Sequence, residues 1–131
     1  MEATEASPAT RHLGLDLGGT YIKWAVVEHD GAGWRLLDRD QLATPAAQGA
    51  AAVVSRLAAV GADAIDRAGP VRSIGIGIPG RYDASTGATR FLVNVPGDWD
   101  AMPVAAPVGG ALGLPTALIN DARAFGLAEL R

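Results

Sequence analysis

Leu13-Gly14-Leu15-Asp16-Leu17-Gly18-Gly19-Thr20 alternates leucine with glycine or aspartate, then breaks at a glycine pair followed by a hydroxyl. A period of two makes a β-strand with one apolar face and one face of bare backbone and carboxylate. The strand runs into a tight turn. Consecutive backbone N–H groups in such a turn form a concavity for an anion, and glycines let a phosphate approach closely. A carboxylate beside it can hold a magnesium ion through water, because that ion keeps most of its hydration shell. The same eight residues also fit an ordinary Gly-Gly hairpin with a solvated Asp16, and alone they leave the two readings level.

Working outward, Tyr21 to Val27 continues as a second strand, Asp30-Gly31-Ala32-Gly33 turns the chain, and Trp34 to Leu42 forms a third. Two successive hairpins predict an antiparallel meander. Thr44-Pro45 predicts the start of a helix, with the hydroxyl as cap and proline at the first position. Val53, Leu57, Val60 and Ala64 then recur at helical spacing until Gly69-Pro70. Ile74, Ile76 and Ile78 alternate with Gly75 and Gly77 and end at Pro79-Gly80, a strand whose second face is again backbone. From Arg81 to Asp100 turn formers predict irregular loops, with a hairpin tip at Asp83-Ala84-Ser85-Thr86-Gly87 and a turn at Asn94-Val95-Pro96-Gly97. A short helix is expected between Pro103 and Leu112 and a buried strand from Thr116 to Ile119. Asn120-Asp121 opens a final helix that carries Phe125 and Ala128 on one face. This order specifies an α/β layer fold, a mixed sheet with antiparallel first three strands and crossover helices that add parallel ones.

The 131 residues are 49% hydrophobic and 19% charged and include no cysteine, which excludes a disulfide-built scaffold and a charge-rich disordered tail. That length suits about one domain. A net charge of −3 with no basic cluster argues against nucleic-acid binding. Residues 1–12 are expected to form a disordered tail without signal-peptide character. No segment approaches the ~18 apolar residues of a membrane helix, so a cytoplasmic protein is expected. His12 and His29 are too far apart for a metal-spacing motif, and no metal site of protein origin alone is expected.

Gly75-Ile76-Gly77-Ile78-Pro79-Gly80 formally matches the dinucleotide fingerprint, yet its glycines lie within the strand and a proline and loop follow where a helix should open. The P-loop pattern is absent, since the single lysine, Lys23, follows Thr20 by three residues. Asn120-Asp121 stands where a strand passes into a helix, and a carboxylate there can act as a general base; capping the helix is the simpler role. Asn94 fits a turn equally well, and Trp99 fits a packing anchor better than a sugar-stacking platform.

Taken together and in order, Leu13 to Thr20, Ile74 to Gly80, Asn94-Val95-Pro96-Gly97-Asp98-Trp99 and Asn120-Asp121-Ala122 resemble the amino-terminal half of a ROK-family sugar kinase. The nearest likeness is to bacterial glucokinases, and it runs from Leu13 to the end of the chain. The resemblance implies the actin-like, ribonuclease H-like ATPase fold, with 13–131 as the first of two domains that close on a cleft. It implies that Asp16, Gly18, Gly19 and Thr20 form the first phosphate loop for ATP and Mg2+, with Asp16 holding the metal through water. Lys23 matches a basic position of the family. Asn94 and Asn120 would hydrogen-bond sugar hydroxyls, Gly80 would line the same pocket, and Asp121 would contact the sugar as catalytic base toward its 6-hydroxyl.

The implied reaction is ATP-dependent phosphorylation of a hexose, glucose by default, by a full-length homo-oligomer; other hexoses and polyphosphate as donor stay open. The family's adenine pocket, further sugar ligands and structural zinc belong to the second domain, so the 131 residues alone are expected to be an inactive fragment. Many members carry asparagine where Arg123 stands. A sugar-responsive ROK transcriptional regulator is one alternative, although its helix-turn-helix precedes the phosphate loop, where only twelve residues stand before Leu13. A non-catalytic sugar-binding module is the other.

Overall fold

The structure, a computed structural model, describes residues 8–120. Strands β1 (Thr10–Leu17), β2 (Tyr21–His29) and β3 (Trp34–Ala43) form the expected meander. Helix α1 (Ala50–Ala68), strands β4 (Ser73–Ile78), β5 (Gly80–Asp83), β6 (Ala88–Leu92) and β7 (Met102–Pro103), helix α2 (Ala105–Leu112) and strand β8 (Thr116–Asn120) follow. The main sheet has the order β3-β2-β1-β4-β8; β1 pairs antiparallel with β2 and parallel with β4, and β4 pairs parallel with β8. The mixed sheet is therefore the one the alternation predicted.

The leucines of β1 explain why the sheet has one dry face. Leu13, Leu15 and Leu17 stand opposite Val26, Trp24 and Ile22 of β2, and Leu13 and Leu15 stand opposite Ile74 and Ile76 of β4. All are buried, and α1 lays Val53, Leu57, Val60 and Ala64 over them while α2 adds Val108. Burying each large aliphatic side chain contributes about 1.5–3 kcal/mol. Gly61 lets the helices approach, since a Cβ there would stand 2.8 Å from Leu112 Cδ1. Helix α1 stops at Gly69 (φ 100°), whose N–H donates to the Ile65 carbonyl. The Arg11 guanidinium donates to the Ala68 carbonyl at 3.0 Å, a cation at the negative end of the helix dipole.

Four expectations are corrected. Strand β1 begins at Thr10 rather than Leu13, so residues 10–12 belong to the sheet and not to a tail; Thr10, Arg11 and His12 pair with His29, Glu28 and Val27. Arg11 donates to Glu28 at 3.1 Å, and the His12 ring sits between the Ser73 and Thr10 hydroxyls, so polar partners hold the strand where apolar alternation is lacking. Thr44-Pro45 does not open α1. A single 3-10 turn (Ala46–Gln48) intervenes, and α1 starts after Gly49 with no side-chain cap. The hairpin tip at 83–87 is as expected, but its flanks are strands β5 and β6 rather than loop, with β7 pairing beside β6. Residues 116–119 are a strand of which only Leu118 is buried, because β8 lies at the sheet edge among the described residues. The final helix with Phe125 and Ala128 lies outside the described residues. Among those residues no helix is long and apolar enough to cross a membrane.

Candidate functional site

Parallel strands β1, β4 and β8 end on one rim of the sheet. Gly18, Gly19 and Thr20 leave β1 there, Pro79-Gly80 leaves β4, and Asn120 closes β8 opposite Ile78. Asp16 stands opposite Lys23 of β2 and Gly77 of β4, so the carboxylate and the ammonium emerge on the same face, away from α1. That face is bare backbone at Gly14, Gly75 and Gly77. At Gly75 the missing side chain makes room for Ile119, whose Cδ1 would stand 2.8 Å from an added Cβ.

The turn after β1 is held from three directions. Gly18 N–H donates to the Tyr21 carbonyl at 3.0 Å, and a Cβ on Gly18 would stand 2.9 Å from that oxygen. Thr44, just past β3, donates its hydroxyl to the Gly18 carbonyl at 2.8 Å and its N–H to the Thr20 carbonyl at 2.9 Å. On the remaining side the main chain of Asn94 lies so close that a Cβ on Gly19 would overlap its carbonyl oxygen. Thr20 itself is exposed.

Asn94 adopts the left-handed region (φ 61°), which asparagine tolerates better than most residues, and its side chain is exposed. Its loop is pinned behind it. Val95 and Trp99 are buried, the Trp99 indole N–H donates to the Pro96 carbonyl at 3.2 Å, and the buried Thr89 hydroxyl donates to the Trp99 carbonyl at 2.7 Å. Trp99 is thus a packing anchor, as its sequence context indicated. Val93 N–H donates to the Pro79 carbonyl at 2.7 Å, which ties the loop to Gly80.

The rim therefore gathers Asp16, Gly18, Gly19, Thr20, Lys23, Gly80, Asn94 and Asn120 from four stretches of sequence. Asp121 lies outside the described residues. The sequence reading missed Thr44, whose hydroxyl it assigned to helix capping. Among the described residues there is no group of three or more His, Cys, Asp or Glu side chains placed to hold a metal ion. The strongest charge cluster lies elsewhere: Arg67 of α1 donates to Asp38 at 2.8 and 2.9 Å and to Asp40 at 2.7 Å, with its guanidinium 5.0 Å from the Trp24 ring. Those hydrogen bonds hold both carboxyls below the usual aspartate range.

Residues 12–131 match the ROK family, almost the whole chain and all four of the motifs above. This chain belongs to the ROK family. A glucokinase of Thermotoga maritima is 34% identical over 122 residues, which cover 93% of this chain and 37% of that protein. The ROK hexokinase from Thermus thermophilus superposes with a TM-score of 0.74 at 38% identity, covering 92% of this chain and 38% of that one. A ROK family glucokinase from Streptomyces griseus, solved in complex with glucose and AMPPNP, superposes with a TM-score of 0.74 at 34% identity, covering 92% and 36%. A ROK family transcriptional regulator, a homolog of the E. coli MLC protein, shares the fold at 24% identity and a TM-score of 0.69. The chain spans a little over a third of the length of these ROK sugar kinases, and its mixed sheet is that of their actin-like ATPase fold.

Proposed function

We propose that this ROK chain carries the phosphate turn and part of the sugar pocket of an ATP-dependent hexose kinase, acting in the cytoplasm on the 6-hydroxyl of glucose. One observation carries the reading. The Gly18-Gly19 turn and the exposed residue Asn94 are in main-chain contact through Gly19, with Asn94 Cβ 3.9 Å from the point a Gly19 Cβ would occupy. Phosphoryl transfer needs donor and acceptor held about 3–3.5 Å apart. A turn that takes phosphate and a side chain that takes a sugar hydroxyl are neighbours here. Relatives named glucokinase support glucose as the sugar.

The residues present suit the donor. Gly19 offers its backbone N–H, neither Gly18 nor Gly19 puts a side chain in the way, Thr20 offers an exposed hydroxyl, and Asp16 offers a carboxylate on the same rim. These are oxygen ligands of the kind a hard cation takes, and Asp16 would hold Mg2+ through water. When bound, that ion offsets charge on the transferring phosphoryl group. Lys23, opposite Asp16, adds a positive charge at the rim. Asn94 and Asn120 orient sugar hydroxyls, with Gly80 lining the pocket between them. Asp121 accepts the proton of the 6-hydroxyl as its oxygen attacks the γ-phosphoryl group of ATP and ADP leaves; an aspartate is a weak base at its ordinary pKa, so it works mostly by orienting that hydroxyl and taking the proton late.

The test uses the protein of the complete gene in a coupled assay with ATP and glucose. Wild type is expected to form glucose 6-phosphate. Asp121→Asn is expected to lower kcat about 10²–10⁴-fold with glucose binding within about twofold of wild type. Retained turnover in that variant sinks the assignment, and glucose binding without turnover in wild type points instead to a sugar-responsive regulator or a sugar-binding module.

A further inference from the structure

We propose that Thr44 is a positioning residue for nucleotide phosphates, holding Gly18 and Thr20 so that the turn after β1 stays open to an anion; this rests on the reading of that turn as a phosphate site. Two of the turn's carbonyls, those of Gly18 and Thr20, would repel a phosphate if they swung into its concavity. Thr44 engages both, one through its hydroxyl at 2.8 Å and one through its N–H at 2.9 Å. The 18–19 peptide is trans and planar, so aiming the Gly18 carbonyl at Thr44 points the Gly19 N–H the opposite way, clear of the clip.

Thr44 is itself fixed on both sides. The β2–β3 register runs without interruption from Val26 opposite Asp38 to Tyr21 opposite Ala43, which delivers residue 44 to Thr20. Pro45 then confines Thr44 to extended backbone. The Gln48 N–H donates to the Pro45 carbonyl and closes the 3-10 turn that leads into α1. The clip is therefore anchored to the sheet and to the start of the helix, and only its hydroxyl is a side-chain choice. A valine has the same shape and keeps the N–H bond but leaves the Gly18 carbonyl without its donor.

The experiment measures AMPPNP and glucose affinities by calorimetry, and KM and kcat for ATP, in the protein of the complete gene. Thr44→Val is expected to weaken AMPPNP binding about five- to tenfold, the scale of one net hydrogen bond, with glucose affinity within about twofold of wild type. Thr44→Ser is expected to restore nucleotide affinity to within about twofold. Equal weakening for both ligands, a lowered Tm with unchanged AMPPNP affinity, or no rescue by serine overturns the proposal. A wild-type protein that binds no AMPPNP refutes the phosphate reading of the turn and the role of Thr44 with it. A wild type that binds nucleotide beside a valine variant that binds equally well removes Thr44 alone.

Discussion

Replacing Gly19 by alanine puts one methyl group where two main chains already touch. The added Cβ overlaps the Asn94 carbonyl oxygen, and its next neighbour is the Asn94 carbonyl carbon at 3.2 Å. Both atoms are backbone, so no rotamer change relieves the clash; the turn or the Asn94 loop has to move. Moving the turn sacrifices a Thr44 or Tyr21 bond, and moving the loop sacrifices the Val93–Pro79 bond. One lost hydrogen bond costs about 0.5–1.5 kcal/mol, and overpacking at a well-ordered contact costs about 1–3 kcal/mol. Gly19→Ala is accordingly expected to destabilise by about 1–3 kcal/mol in denaturant titration. KM should rise several-fold for ATP and for glucose together, because on the proposed function the contact joins the two subsites. Gly33→Ala is the control: it lies in a turn of the same sheet with open space around its Cα and no left-handed backbone, and should stay within about 0.5 kcal/mol of wild type. A Gly19→Ala protein as stable as that control, with both KM values unchanged, refutes the packing argument and the joined subsites at once.

Adjacent glycines of α2 should respond with opposite sign. Gly110 has nothing within 4 Å of an added Cβ, so Gly110→Ala is expected to stabilise by about 0.5–1 kcal/mol through helix propensity. A Cβ on Gly109 would stand 2.9 Å from Thr116 Oγ1 and 3.0 Å from the Leu114 carbonyl, so Gly109→Ala should destabilise; equal Tm shifts for the two variants contradict this. Arg67 hydrogen bonds depress the Asp38 and Asp40 pKa values. Their stabilising effect is thus present above the unfolded aspartate value of about 4 and is lost as pH falls through the lower folded values. Wild type should lose Tm more steeply than Arg67→Gln between pH 5 and pH 3, and parallel profiles count against the network.

The sheet was legible because its strands alternate cleanly at β1 and β4 and α1 repeats its aliphatics at helical spacing; each pattern reports which face is dry. Residues 10–12 escaped for the complementary reason, since Thr10, Arg11 and His12 pair through polar groups and show no apolar alternation. Thr44 escaped because of one residue. Counting back from His29 opposite Trp34 brings Ala43, not Thr44, to Thr20; the bulge between Val26 and Val27 shifts the register by one and substitutes Thr44. Nothing in the composition of β2 or β3 marks that bulge, yet it decides which side chain meets the turn. At the rim, Gly19 and Asn94 were each ambiguous alone. Their contact joins residues far apart in the chain, and periodicity reports only local neighbours.

The same bulge lies in the edge strand of the sheet, where irregularity disfavours pairing with an added strand. Strand β3 is ten residues long and borders the sheet among the described residues, so its outer hydrogen-bonding groups would template an added strand if it were flat and apolar. Instead it bends at the bulge and carries Arg35, Asp38, Arg39 and Asp40, with Arg35 paired to Glu28 and both aspartates paired to Arg67. A second chain docking there would have to align against mixed charges on a twisted line. Mixed charge along an edge strand disfavours edge-to-edge pairing, and neutralising Asp38, Arg39 and Asp40 together is expected to raise aggregation in light scattering.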